Sequence, residues 1–374
     1  SVYSPDLADE QHVIEDTDSD GDWYSEPTSE SGWDFWNGNV VGGSSNFMSG
    51  YFHRLKPIDF RLKSEFGNVE GANIEDWPIS YDDLAPYYDQ TDRQVGVSGK
   101  VIDHPYQEPR TSDFPHPPVA EHGIAQWIDD AGKKIGYHPF PVPRAILSTP
   151  AMGRRSCEYS GYCGSYGCAS SAKGSGRAAL LNHAVATGNC TIKPNAKVHK
   201  IATNEQGEIT GVHYYDAQGK SQIVQAKYYV VACQAIETSR LLLASKGKKF
   251  PQGLANNNGQ VGKNLVFSAG GSGGGDFYYD DLPKDKAMQL KQVGPFVNRA
   301  LQDWYKIDDK SFGQAAKGGT IDFLFSHPNP IVRAEREKWD ENDQLVWGEQ
   351  LKQNLKASFT ESRTLRFEVF NDWL

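Results

Sequence analysis

Three of the five cysteines in this chain lie within one short run. Cys157, Cys163 and Cys168 occur in CEYSGYCGSYGC, with the spacing C-x5-C-x4-C. Core packing alone rarely needs so dense a group of thiols in a chain of 374 residues. The run therefore predicts a loop in which thiols are bonded to each other or brought together around a ligand.

Length and charge exclude some classes of protein. A chain of 374 residues predicts roughly two domains. Asp and Glu total 48 against 38 Lys and Arg, and the resulting formal charge of -10 makes nucleic acid an unexpected partner.

No apolar run approaches the roughly 18 to 20 residues that span a bilayer, so no transmembrane segment is expected. The sequence begins at Ser1 without Met or a signal-like segment, which indicates processing, truncation or a fragment and leaves the compartment open.

Local signals define several elements. Ser80 and Asp83 have the spacing of a helix capping box. A helical pattern from Ile124 to Ile135 ends at Gly136. Gly219 marks the turn of a hairpin. These signals predict a chain of mixed helices and strands.

A strand followed by a helix is predicted later in the chain. The apolar run from Tyr228 to Cys233 resembles a strand that is buried on both faces, and 237–245 reads as the next helix. Together they predict one strand-to-helix unit of an α/β sheet.

Two loops are candidate binding sites. In VVGGSSN at 40–46, the double glycine would let backbone N–H groups approach an anion, although an ordinary tight turn has the same pattern. Asp occupies every second position at Asp16, Asp18, Asp20 and Asp22, with Gly21 before the last of them, as in a calcium loop. The final bidentate Glu of such a loop is missing, which favours a solvated acidic turn.

Five motifs in order resemble the glucose-methanol-choline (GMC) flavin oxidoreductases, in the branch of gluconate and other sugar or polyol dehydrogenases. They are VGGSS at 41–45, DWPI at 76–79 with LAPYY at 84–88, the cysteine run, VVA at 230–232 with IET at 236–238 and RLLL at 240–243, and VGKNL at 261–265. The resemblance implies an α/β (α+β) fold. A FAD-binding domain with a three-layer βαβ-type core would comprise 1–55 and 176–265. A substrate or cap domain built on an antiparallel sheet would comprise 56–175 and 266–374, including the cysteines.

The resemblance also implies which residues contact FAD. Gly42, Gly43, Ser44 and Ser45 would line the pyrophosphate and ribityl chain, and the residues from Asn46 to Ser49 would pass near the isoalloxazine ring. Phe47 stands where some relatives carry a flavin-linking histidine, so the FAD would be non-covalent. The expected cofactor-binding residues are Val41, Gly42, Gly43, Ser44, Ser45, Asn46, Met48, Val198, Ala232, Ala235, Ile236 and Thr238.

Two parts of the family pattern lie outside this sequence. The GxGxxG unit would precede Ser1, and the catalytic histidine with its histidine or asparagine partner would follow Leu374. We therefore expect a chain that is truncated at both ends. The catalytic residues are unknown.

By analogy with relatives, Cys157, Cys163 and Cys168 would ligate a 3Fe-4S centre. A zinc site, which would need a further ligand, a disulfide with one spare thiol, and inert packing thiols are the alternatives. The expected reaction is hydride transfer to flavin from an alcohol of a sugar, polyol, glycoside or sugar acid. Electrons would leave through the iron-sulfur centre to a cytochrome c, and a small escort subunit would accompany the enzyme to the periplasm. The alternative is a non-catalytic fragment or remnant that contributes a substrate domain and part of a cofactor cradle to an assembly.

Overall fold

A computed structural model provides the fold. It describes residues 38–69, 71–105, 107–164, 166–265, 270–308, 316–326, 329–340, 342 and 344–371, together with the backbone of 13–17 and 23–27. Asp18, Asp20 and Asp22 of the predicted acidic turn, and the side chain of Asp16, lie outside the described residues.

The described strands and helices alternate irregularly along the chain. The strands are β1 (Val13–Thr17), β2 (Trp23–Pro27), β3 (Phe140–Pro141), β4 (Lys197–Thr203), β5 (Ile209–Tyr215), β6 (Ser221–Val224), β7 (Ser272–Tyr278), β8 (Arg299–Leu301), β9 (Lys306–Ile307), β10 (Ala316–Lys317), β11 (Gly319–Phe325) and β12 (Ser362–Asn371). The α-helices are α1 (Leu62–Phe66), α2 (Tyr81–Val95), α3 (Ile124–Ile135), α4 (Asn182–Ala186), α5 (Ala235–Ala244), α6 (Lys284–Leu290), α7 (Pro330–Glu337) and α8 (Gly348–Thr360). They form two compact units, one of Ser1–Ala186 with Ser268–Leu374 and one of Thr187–Phe267.

An antiparallel sheet of five strands organises the first unit. Its strand order is β3-β8-β11-β12-β7. Because side chains alternate along a strand, each pair of facing residues belongs to one face of the sheet. One face carries Phe323, Phe325, Leu365 and Phe277, which pack against the core around Ile124. This face is the apolar one.

The other face of this sheet is polar. Asp322 of β11 is paired with Glu368 of β12, which is paired with Ser272 of β7. In the next row, Arg366 of β12 is paired with Gly274 of β7. Charged residues, serine and glycine on a face that is partly covered indicate a binding surface rather than a core.

Two helices confirm the sequence prediction of their ends. Ser80 accepts a hydrogen bond from the backbone N–H of Asp83, whose carboxylate accepts one from the Ser80 N–H, so α2 begins with the predicted capping box. Helix α3 ends at Gly136, which has φ of +81°. Both signals are local, which explains why the sequence alone was sufficient.

The second unit contains a sheet of order β4-β5-β6 and helix α5. The predicted hairpin is confirmed, with β5 and β6 joined by a turn in which Gly219 has φ of +73°. The predicted strand at Tyr228 to Cys233 is wrong, since this segment has no strand and Val230 is 90% exposed. A strand forms only where a neighbour takes its backbone hydrogen bonds, and no described strand pairs with this run.

The described part of the chain therefore has a mixed fold of helices and antiparallel sheets, as expected for the fold class. No helix in that part is long and apolar enough to cross a membrane.

Candidate cofactor and substrate site

The glycine loop at 40–46 is tightly folded. Gly42 has φ of +96°, and a Cβ built on it would lie 2.8 Å from Cβ of Arg177. Gly43 has φ of +60° and begins a short 3-10 helix, Gly43–Asn46. Only glycine combines this backbone conformation with so close an approach, so Gly42 is required by geometry.

The hydroxyls of the loop hold it in place. Ser45 Oγ donates to the Gly42 carbonyl at 2.7 Å and accepts from the Gly176 N–H at 2.9 Å. Ser44 Oγ accepts from the Gly38 N–H at 2.9 Å. Asn46 Nδ2 donates to the Val41 and Gly43 carbonyls. Ser44, Ser45 and Asn46 thus shape the loop directly.

A buried lysine joins the glycine loop to the cysteine run. Lys173 is 2% exposed. Its Nζ lies within hydrogen-bonding distance of the carbonyls of Asn46, Met48, Cys163 and Tyr166, at 3.2, 2.7, 2.7 and 2.8 Å. Burial lowers the pKa of the amine. The lysine therefore fixes two predicted site loops against each other within the first unit.

A cleft of about 310 Å³ opens beside these loops. Its lining residues are Val40, Val41, Asn46, Phe47, Gly167, Cys168, Ser171, Lys173, Ser175, Arg177 and Ala178. Arg177 belongs to a π-helical turn, Gly176–Leu181, that continues into α4. The N-terminus of this helix and the Arg177 guanidinium give the cleft positive character that suits an anion. Met48, by contrast, packs against the core around Val95, Val97 and Ala145.

The three cysteines lie near one apolar cluster. Cys157, Cys163 and Cys168 pack against Val119, Ile146, Leu147 and Ala172, and all three thiols are free. Burial raises the pKa of Cys157 to about 11 and also raises that of Cys163. Burial acts in the same direction on Cys168, but hydrogen bonds from Ser170 and nearby N–H groups outweigh it and lower the pKa.

This arrangement does not fit a metal centre. No group of three His, Cys, Asp or Glu side chains among the described residues is placed to hold a metal ion. The structure therefore does not bring Cys157, Cys163 and Cys168 together as the expected ligand set.

The remaining predicted cofactor residues lie in the second unit. Val198 is in β4, and its carbonyl accepts a hydrogen bond from Arg240 at 3.4 Å. Ala232 lies in the exposed segment before α5, whose first residues are Ala235 and Ile236. Thr238 Oγ1 accepts from the Cys233 N–H at 3.0 Å.

Gln234, at the start of α5, was not predicted from the sequence. It has φ of +73°, which is uncommon for a residue other than glycine. Its side chain accepts hydrogen bonds from the Ile236 and Glu237 N–H groups, at 2.8 and 3.2 Å. This cap fixes the turn that the resemblance assigns to the dinucleotide, and such strained conformations cluster at ligand sites.

The segment after the glycine loop is anchored to helix α2. Buried Arg54 donates to Asp89 and Asp92, at 2.7 and 2.5 Å. Arg110 donates to the same Asp92 carboxylate. This buried network fixes the chain where it leaves the loop and approaches the sheet.

The same segment lies over the polar face of the sheet. The ring centroids of Tyr51 and Phe370 are 6.1 Å apart. Arg144 stacks between Tyr51 and Phe296, with 4.4 and 4.5 Å to the ring centroids, and donates to the Ser49 carbonyl. Burial raises the pKa of Tyr51. The glycine loop therefore leads directly to the polar face.

A second cleft, of about 400 Å³, lies on that face. It is lined by Ser272, Gly273, Gly274, Gly275, Asp276, Ser326, Arg333, Glu337, Thr364 and Arg366. The glycines of β7 leave room above the strand, and the surrounding charges and hydroxyls can hydrogen bond to a polar ligand. Sequence reasoning missed this cleft, because only the pairing of β7, β11 and β12 assembles it.

Comparison with known proteins identifies a family model and several curated relatives that this chain resembles. The family model described as GMC oxidoreductase matches residues 117–268. The chain is similar to paromamine 6'-oxidase of Streptomyces fradiae, with 32% identity over 81% of this chain and 53% of the relative. It is also similar to 2-methyl-1,2-propanediol dehydrogenase of Mycolicibacterium austroafricanum, with 39% identity over 61% of this chain and 40% of the relative. A third relative is the gluconate 2-dehydrogenase flavoprotein of Pantoea cypripedii, with 29% identity over 62% of this chain and 41% of the relative.

A solved structure supports the fold. A formate oxidase of Aspergillus oryzae, determined to study modification of its FAD, superposes with a TM-score of 0.52 at 16% identity, covering 96% of this chain and 62% of that one. The class is thus a mixed α/β fold of the kind found in flavoenzymes, and the resemblance to the GMC oxidoreductases is confirmed. The chain spans about half the length of the curated relatives it matches.

Proposed function

We propose that this chain is part of a FAD-dependent oxidoreductase that oxidises an alcohol group of a sugar, polyol or related compound. The main support for the proposal is the glycine loop of the first unit, in which Gly42 lies close to Arg177 beside a cleft. The match of residues 117–268 to the GMC oxidoreductase family model supports the same class. The match to relatives that act on alcohols supports the reaction class.

The residues of the first cleft fit a dinucleotide. Its pyrophosphate would approach the backbone of Gly42 and bind the Arg177 side chain. The N–H groups of Gly43 and Gly176 donate to the Val40 carbonyl and to Ser45 Oγ, so they shape the loop instead of binding the phosphate. Burial and the carbonyl ligands of Lys173 keep the loop in one conformation, so little order has to be gained on binding. FAD supplies the acceptor for the hydride, and no step is assigned to a residue of this chain beyond binding and orientation.

The second cleft suits the alcohol. Its mixture of Arg333, Arg366, Asp276 and Glu337 with hydroxyl groups offers both donors and acceptors, which polyols need. The overall charge of -10 does not favour polyanionic substrates. A sugar, polyol or amino sugar therefore fits this face better than a phosphorylated compound.

The proposal extends to electron transfer and location. A cytochrome acceptor, an escort subunit and a periplasmic location rest on the resemblance alone. Since the three cysteines do not fit an iron-sulfur centre, no electron path is assigned through them.

Spectroscopy and an activity assay test the proposal. The purified protein, supplied with FAD and freed of excess, should show a bound flavin band at about 450 nm. That band should bleach with a GMC-type substrate, for which paromamine, 2-methyl-1,2-propanediol and gluconate form the first panel. A protein that retains no flavin would overturn the proposal.

Two arginine variants separate the proposed clefts. Arg177→Met should weaken FAD binding by about tenfold, because it removes a charge-assisted bond to phosphate. Arg366→Met should leave FAD binding unchanged and raise the KM for the alcohol. Equal effects of both variants on flavin retention would contradict the assignment of separate clefts.

A further inference from the structure

One buried carboxylate on the polar face has no hydrogen-bond partner among the residues that the structure describes. Asp322 of β11 is 0% exposed, and neither of its carboxylate oxygens has a hydrogen-bond partner in the described residues. Leaving a buried charged group in this state is costly. Such an exception on a polar face indicates a functional arrangement.

His53 faces this carboxylate. Its Nε2 lies 3.5 Å from Asp322 Oδ1, and the side chain is 22% exposed. The nitrogen itself is buried and has no hydrogen-bond partner in the described part of the chain. His53 therefore turns one edge of its ring to Asp322 and leaves part of the side chain open.

Three further polar side chains lie near this pair, those of Glu368, Arg144 and Tyr51. Glu368 is the cross-strand partner of Asp322 on the same face. Arg144 is committed to Asn298 Oδ1 at 3.0 Å and to the Ser49 carbonyl. Tyr51 stacks beside Arg144. None of the three donates a hydrogen bond to Asp322, so His53 is its closest basic group among the residues that the structure describes.

The chemistry of the pair defines what it can bind. A carboxylate oxygen only accepts, so the nitrogen facing Asp322 carries a hydrogen. The opposite nitrogen, Nδ1, then accepts from a ligand when the ring is neutral and donates when the ring is charged. A hydroxyl group satisfies both states, because it is a donor and an acceptor at once.

We propose that His53 binds a second hydroxyl of the alcohol substrate through Nδ1, and that Asp322 is the positioning residue that fixes its ring. This inference rests on the proposed function and adds a specificity residue to it. The hydroxyl bound here is not the one that is oxidised. The site therefore favours diols and polyols over simple alcohols.

Ligand-observed NMR with the FAD-loaded protein tests the inference. Propylene glycol and n-propanol serve as probes, because they differ by one hydroxyl. The protein should bind propylene glycol about fivefold more tightly, as expected for one additional hydrogen bond. His53→Asn should retain most of this ratio, because its amide lies near the position of Nδ1, whereas His53→Gln places its amide near Nε2 and should reduce the ratio to about one.

Asp322→Asn provides the second measurement. It should lower the ratio without changing the affinity for n-propanol, since it releases the His53 ring but leaves the lining of the second cleft, which includes neither His53 nor Asp322, unchanged. A wild-type protein that does not distinguish the two alcohols, or binds neither, would overturn the inference. So would equal ratios in His53→Asn and His53→Gln. Flavin absorbance is recorded separately, so that a failure to retain FAD is not confused with a failure of His53.

Discussion

The glycine loop and the turn at Ala232 are both expected to contact the same cofactor, yet their surroundings differ. In the first unit, the loop is fixed by buried Lys173 and by the Ser45 hydroxyl. In the second unit, the turn at Ala232 is exposed and is fixed mainly by the Gln234 cap. Residues distant in sequence therefore stabilise the glycine loop, whereas a neighbouring residue stabilises the turn at Ala232.

The largest effect is expected for Lys173→Met in the first unit. This change leaves four carbonyl oxygens without their buried donor, and we expect the free energy of unfolding to fall by about 3–5 kcal/mol. Chemical denaturation measures the effect. Lys248→Met is the control, because Lys248 forms only an exposed ion pair with Glu205. A loss of less than about 1 kcal/mol in Lys173→Met would show that the lysine does not hold the loops.

A smaller effect is expected for Gly42→Ala, with Gly43→Ala as the matched comparison. Both positions have positive φ, but only at Gly42 would the new Cβ meet Arg177. We expect about 2–3 kcal/mol of destabilisation for Gly42→Ala and about 1 kcal/mol for Gly43→Ala, together with weaker FAD retention in the first. Thermal unfolding and flavin absorbance measure the two effects. Equal losses would mean that backbone strain alone, and not the close contact with Arg177, makes glycine necessary at position 42.

The cysteines offer a third test in the first unit. Because the pKa of Cys168 is lowered and that of Cys157 is raised to about 11, iodoacetamide at pH 8 should modify Cys168 at least about tenfold faster. The thiolate is the reactive form, so raising the pH towards 11 should narrow the difference. Peptide mass spectrometry gives the rates, with exposed Cys233 as an accessibility reference. Faster labelling of Cys157 would contradict the pKa order.

The smallest expected effect concerns the second unit. Gln234→Ala removes the helix cap and keeps the left-handed backbone, so it should cost about 1 kcal/mol. Gln234→Gly loses the same cap but adopts positive φ without strain, so it should cost less. Denaturation curves of the two variants measure their losses in the free energy of unfolding. A larger loss in the glycine variant would show that φ at this position is not strained.

The sequence predicted the elements whose signals are local. Ser80 with Asp83, and Gly136, define helix ends through their own neighbours. The run at Tyr228 to Cys233 failed as a strand, because strand formation depends on partners elsewhere in the chain. Lys173 gave no sequence signal, because its four carbonyl partners become neighbours only in the folded chain.

The candidate site was predicted in part for the same reason. A short motif predicted Gly42 and Ser45 as cofactor contacts. The pair of His53 and Asp322, and the cleft at Arg366, needed the register of β11 and β12. Three cysteines close in sequence suggested a metal site, but sequence spacing does not set the direction in which thiols point.

Hydrogen exchange with and without FAD examines the glycine loop of the first unit, which is proposed to bind the dinucleotide. We predict that adding FAD slows amide exchange at 41–46 and leaves the hairpin at Gly219 unchanged. FAD that leaves amide exchange at 41–46 unchanged would contradict the proposal.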